Sequence, residues 1–158
     1  MYRSFKTAAI SLAIACLLVH PLPPLVRAET VCATSGLVVA ACPIAAAAGA
    51  GILERGGNAV DAAVAVGFAL AVTYPQAGNI GGGGFMLARL ASGETTFLDF
   101  RERASLAARR DMYLDRRGEI IENLSLLGAM AVGVPGSVSG FHRAHELLGT
   151  LSWRELLE

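Results

Sequence analysis

The sequence predicts a mixed α+β fold, and three features predict it. Two helical stretches stand back to back, one opened by Pro43 and closed by Gly56-Gly57, the next opened by Asn58 and closed by Tyr74-Pro75. The runs Phe85 to Leu90 and Thr95 to Phe100 flank Ala91-Ser92-Gly93-Glu94, the pattern of a β-hairpin. Pro135-Gly136 then precede a third helical stretch from about Ser137 to Leu148, with Gly149 as its stop.

Ahead of these elements lies a segment of another kind. Met1 to Lys6 carries Arg3 and Lys6 and no acid, an apolar run follows from Ala8 to Val19, and His20 to Pro24 is rich in proline. Val26-Arg27-Ala28 places small residues three and one before a cut after Ala28, which completes the order of a secretory signal peptide. Residues 1–28 are therefore expected to be removed, leaving 29–158 in the periplasm or outside the cell. The apolar run is shorter than the ~20 residues of a spanning helix, so no membrane attachment is expected after cleavage. A lipid-bearing Cys16, preceded by Ala15, is the alternative; the apolar Leu17, Leu18 and Val19 that follow it argue against that reading.

Removing the segment leaves ten basic residues, all Arg, against thirteen acidic ones. A formal charge of −3 without a basic stripe offers nucleic acid no footprint. Val31 to Thr34 and Leu37 to Ala41 around Ser35-Gly36 read as strand–turn–strand. In that register Cys32 faces residue 39 and Cys42 falls past the partner position, so the two thiols are expected free and buried rather than bridged. No His joins them at zinc-ligand spacing.

In the first helical stretch, Ala45 to Ala48, Gly49, Ala50 and Gly51 are small enough to require another backbone close by. In the second, Asn58 caps and Asp61 occupies the third helical position, favouring the positive end of the dipole. From Ala62 to Val72 it is apolar on every face and is expected to be buried in a larger body, between a sheet and other helices. A loop with Gly78-Asn79-Ile80 leads into Gly81-Gly82-Gly83-Gly84, and Arg101-Glu102-Arg103 ends the hairpin. Asp115-Arg116-Arg117-Gly118 resembles an exposed turn. Ser152-Trp153-Arg154-Glu155 is a capping box that starts a helix with fewer than two turns before Glu158, which reads as a fragment.

Few residues carry chemistry. The glycine run permits either backbone N–H contact with an anion or tight packing. It is neither a phosphate-binding loop nor a dinucleotide fingerprint, since no Gly-Lys-Ser/Thr follows and Met86 stands where the last glycine belongs. Arg101, at a strand end near that loop, suits a forked contact with a substrate carboxylate worth about 1.5–3 kcal/mol. The residues alone favour the plainer alternative, an ion pair with Asp99 or Glu102. His142 and His145 stand three apart, but no third metal ligand accompanies them, and Arg143 and Glu146 mark a solvated face. Gly136-Ser137-Val138-Ser139-Gly140 is not a nucleophile elbow. A catalytic machine cannot be assembled from these parts.

The ordered set says more. Gly56-Gly57-Asn58-Ala59-Val60-Asp61-Ala62-Ala63, Gly81-Gly82-Gly83-Gly84-Phe85-Met86, Leu98-Asp99-Phe100-Arg101-Glu102, Val134-Pro135-Gly136-Ser137-Val138 and Leu148-Gly149-Thr150-Leu151-Ser152-Trp153 resemble the γ-glutamyltransferase (γ-glutamyltranspeptidase) family. The resemblance runs from about Gly36 to Glu158 and implies the amino-terminal part of the family's large subunit. It implies an N-terminal-nucleophile hydrolase fold, a four-layer αββα sandwich of which this chain supplies only the amino-terminal part. It implies a precursor that cuts itself into large and small subunits, and transfer of the γ-glutamyl group of glutathione or a related amide to water or an amino-acid acceptor. The intermediate would be a γ-glutamyl-threonine, and no cofactor is implied. Arg101 matches the arginine that grips the α-carboxylate of the γ-glutamyl group, which reverses the odds set by the residues alone.

The nucleophile has no counterpart here. Thr30, Thr34, Thr73, Thr95, Thr96 and Thr150 follow the expected cut, and none begins a Thr-Thr-His type of sequence. No catalytic residue is assigned to this chain, and alone it is expected to be inactive; its partner would be the small subunit. Cys42-Pro43 replaces the His-Pro of many relatives, and Gln76-Ala77-Gly78 varies a loop that often carries Ser. An acylase of the same fold, acting on cephalosporin side chains or polyglutamate, and a non-enzymatic exported binding module are the alternatives.

Overall fold

The computed structural model describes residues 30–158, so the signal peptide read over residues 1–28 lies outside the described residues. Contacts divide the chain after Ala33: Thr34–Glu158 is one unit, and Thr30–Ala33 belongs to another and has no regular secondary structure. The elements are α1 (Pro43–Glu54), α2 (Ala59–Thr73), β1 (Phe85–Arg89), β2 (Thr95–Asp99), a 3₁₀ turn (Ala129–Ala131), α3 (Ser137–Leu148) and α4 (Trp153–Leu157).

The strand–turn–strand expected over residues 31–41 does not form. Val38 and Ala40 are half-buried while Leu37 and Val39 are exposed, the two-residue alternation of extended chain. Its cover is a helix instead of a partner strand: Val38 lies in the space that a side chain at Gly49 of α1 would fill. Cys32 and Cys42 are free, as expected, but neither is buried. Cys42 is the residue that precedes α1, and the Thr73 hydroxyl, then the N–H groups of Ala45 and Ile44, hold its thiol below its ordinary pKa.

The small residues of α1 do admit a close neighbour, since a Cβ on Gly49 would run into Val66 of α2. Asn58 Oδ1 accepts from the N–H of Val60 (2.8 Å) and Asp61 (3.0 Å), and Asp61 Oδ2 accepts from the N–H of Asn58 at 2.9 Å. This reciprocal box starts α2, and Tyr74 before Pro75 ends it. Ile52, Ala62, Val64, Ala65 and Leu156 form the core. Within this chain α2 is not covered on every face: Val72 is 80% exposed. The helices α1, α3 and α4 pack against α2, while Phe68, Ala69 and Val72 line an open apolar groove with Ala48, Ile80 and Leu157.

β1 and β2 pair antiparallel with Phe85 opposite Asp99 and Leu87 opposite Phe97. Each strand is one residue shorter than the sequence predicts, although Gly84 and Phe100 still exchange hydrogen bonds (3.0 and 3.4 Å) beyond the ladder. The strands alternate, with Phe85, Leu87, Phe97 and Asp99 on the exposed face and Met86 and Leu98 on the covered one. Phe100 shares the parity of Leu98 and seats α3: its ring occupies the place of a side chain at Gly140. Phe141 continues this contact edge-on to Phe100 (5.7 Å) and Phe68 (5.3 Å), joining the hairpin to α2. α3 ends at Gly149, and the Ser152–Glu155 box starts α4, both as predicted. Among the described residues no helix is long and apolar enough to cross a membrane.

Candidate active-site arginine

Arg101 follows β2 by two residues, and its backbone is held from three directions. The Asp99 carboxylate accepts from its N–H at 3.0 Å, closing a local turn. A side chain at Gly83 would strike Phe100 O (2.6 Å) and Glu102 N (2.7 Å), so the glycine run lies directly against this stretch. Gly136 presses on the Phe100 carbonyl from the other side. Arg103 and Val134 then exchange hydrogen bonds of 3.1 and 2.8 Å.

The glycine run is thus a packing device. Gly82 O accepts from the N–H groups of Gly136 (2.8 Å) and Ser137 (3.0 Å), satisfying donors at the start of α3, and Gly84 N–H is spent on Phe100. Only glycine permits the approach at Gly83.

The Arg101 side chain has the parity of Phe85 and Phe97 and lies on the exposed face. Its Cζ sits 5.7 Å from the centroid of Phe85, whose ring stacks on Phe97 at 5.8 Å. Nε donates to Glu102 Oε2 at 3.0 Å, and the side chain is 61% exposed. Among the described residues Nη1 and Nη2 have no hydrogen-bond partner. Glu102 stays ionised: its own backbone N–H, then the Arg101 guanidinium, hold its carboxyl below the usual range, with Gly83 N–H adding to both. The ion pair exists, with Glu102 and not Asp99, and it uses one edge of the guanidinium while leaving the paired Nη edge open for a carboxylate.

The other candidates serve structure. His145 Nε2 is 2.7 Å from Leu151 O, His142 Nδ1 is 3.7 Å from Glu146, and both rings meet Trp153. The Thr150 hydroxyl donates to Asp61 (2.5 Å) and that of Thr73 to Ala69 O (2.9 Å). Sequence reasoning missed Phe85 as a neighbour of Arg101. The hairpin register contained the signal, since Phe85 faces Asp99 and Arg101 is two residues further on the same face.

The family profile described as gamma-glutamyltranspeptidase matches residues 45–158. The chain is 51% identical over 157 residues to the glutathione hydrolase proenzyme of Pseudomonas sp. (strain A14), covering 98% of this chain and 27% of that protein. The Helicobacter pylori gamma-glutamyltranspeptidase structure matches with a TM-score of 0.76 at 47% identity, over 82% of this chain and 37% of that one. Cephalosporin acylase from Bacillus halodurans matches with a TM-score of 0.70 at 29% identity, over 87% of this chain and 25% of that one. The chain thus spans about a quarter of the length of the curated relatives it matches. The helices and hairpin are part of the N-terminal-nucleophile hydrolase sandwich, with its αββα layers. On the profile match, the shared sequence and the shared fold together, the chain belongs to the gamma-glutamyltranspeptidase family.

Proposed function

We propose that this chain is the amino-terminal part of the large subunit of an exported glutathione hydrolase or γ-glutamyltransferase, and that Arg101 binds the α-carboxylate of the γ-glutamyl donor. The observation that carries this reading is the open Nη edge of an exposed guanidinium whose backbone and Nε are already held. A donor carboxylate completes the fork with two parallel bonds. The relatives named as proenzymes support a precursor that is processed; in this reading processing yields a small subunit beginning with threonine. The threonine hydroxyl attacks the γ-amide carbonyl, and its own α-amino group, with a pKa of ~7.7–8.0, accepts the proton. The γ-glutamyl-threonine then passes its acyl group to water or an amino-acid amine. This chain alone contributes binding and no nucleophile, and is inactive.

Replacing Arg101 by Ala in the full-length protein is expected to raise KM for γ-glutamyl-p-nitroanilide by about ten- to a hundredfold, the loss of ~1.5–3 kcal/mol of charge-assisted bonding. Arg101→Lys keeps the charge without the fork and is expected to fall between. Unchanged KM and kcat in the alanine variant remove Arg101 from the site. The acylase reading is favoured if a donor lacking a free α-carboxylate turns over as well as the γ-glutamyl one. A reading frame beyond Glu158 that reaches no threonine-led segment favours the binding module.

A further inference from the structure

We infer that Phe85 is a positioning residue for Arg101, holding the plane of its guanidinium so that the paired Nη edge meets the donor carboxylate. This rests on the reading of Arg101 given above. An arginine side chain leaving a strand end has many rotamers, and a forked contact needs one of them. The backbone is fixed by Asp99 and Gly83, and Nε is fixed by Glu102, but one ion pair at 3.0 Å leaves rotation about the Nε–Oε2 line. The Phe85 ring removes that freedom, because the guanidinium carbon lies 5.7 Å from its centroid, within cation–π range. Phe85 is itself anchored by the ladder opposite Asp99 and by the near-parallel stack on Phe97, 20° between planes. Phe85 is 56% and Phe97 60% exposed, so the pair stands on the same open face as the guanidinium.

Kinetics of the full-length enzyme test this. Phe85→Leu is expected to raise KM for γ-glutamyl-p-nitroanilide by about fivefold and to leave kcat within about twofold. Phe85→Tyr, which keeps the ring, is expected to restore the wild-type KM. In an Arg101→Ala background Phe85→Leu is expected to add nothing, because the ring acts through a group that is gone. A merely structural ring would instead lower thermal stability and impair both backgrounds alike. Should Phe85→Leu not be recovered folded, Phe97→Leu, which removes the stacking partner, is expected to raise KM in the same direction and by less. An unchanged KM in the variant that folds, or an equal rise with and without Arg101, overturns the inference. If Arg101→Ala itself leaves KM untouched, the carboxylate clamp fails; if Arg101→Ala raises KM and Phe85→Leu does not, only the role of Phe85 fails.

Discussion

Replacing Asp61 by Ala is expected to destabilise the full-length protein by about 4 kcal/mol, more than any other single side-chain deletion in this chain. Asp61 is fully buried, yet its carboxylate accepts from the N–H of Asn58 (2.9 Å), the N–H of Thr150 (3.1 Å to both oxygens), the hydroxyl of Thr150 (2.5 Å) and the N–H of Leu151 (3.4 Å). Removing the acceptor strands these donors in a closed space, at roughly 1–3 kcal/mol for each that finds no water. The same turn is tied down by Asn58 Nδ2 to Leu148 O (2.6 Å) and by His145 to Leu151 O, so it cannot relax toward solvent. Asp61→Asn keeps one oxygen and is expected to cost about half as much. Thermal midpoints at one scan rate check this; an alanine variant within about 2 °C of wild type contradicts it.

The same carboxylate sets a pH dependence. Burial pushes its pKa up, but the Thr150 hydroxyl and the N–H groups of Asn58, Thr150 and Leu151 outweigh it and leave the pKa lowered. A group depressed on folding contributes its full stability above the unfolded value of ~3.9 and loses it as pH falls through the lower folded value. The gap between wild type and Asp61→Asn is therefore expected to stay constant from neutral pH to about pH 4 and to narrow below it. Thermal midpoints of both proteins across that range measure it, and a gap that widens in acid reverses the assignment.

Local signals were readable and long-range ones were not. Pro43, Asn58, Tyr74-Pro75, Gly149 and the Ser152 box each act on backbone within a turn of themselves, and each marks an observed helix end. Asn58-x-x-Asp61 told of the cap but hid the larger role of Asp61, because Thr150 lies 89 residues away. Residues 34–41 show the reverse error: an alternating apolar pattern specifies extended chain, while the partner that covers it, here α1 through Gly49, is set by tertiary packing. The composition of α2 makes every side apolar, but it does not say which sides this chain covers, and Ala63 and Val72 are left exposed. For Arg101, residue chemistry left the ion pair and the substrate fork as rivals, and the atoms show only that the ion pair with Glu102 takes Nε and that both Nη groups have no hydrogen-bond partner among the described residues.

Gly136→Ala is the substitution that ties this geometry to the site. Gly136 has φ −115° and ψ −17°, outside the left-handed region that favours glycine, so alanine meets no such backbone penalty there. The conflict is with a neighbour, since the added Cβ would coincide with the carbonyl oxygen of Phe100. That oxygen cannot swing away cheaply, because it accepts from Gly84 N–H, and the Gly136 N–H is itself bound to Gly82 O at 2.8 Å. Relief has to come from parting the start of α3 from the end of β2, which also pulls Phe100 off Gly140 and shifts the backbone that carries Arg101. The expected cost is about 3 kcal/mol or more, at the upper end for overpacking because the struck atom is backbone. In the protein that still folds, KM for the γ-glutamyl donor should rise while Arg101 remains in place. Gly81→Ala is the control, for its nearest contact would be 3.5 Å from the Asn79 side chain, and it is expected to leave both stability and KM nearly unchanged. If Gly136→Ala lowers the thermal midpoint without moving KM, the seam between α3 and β2 supports the fold but does not position the arginine.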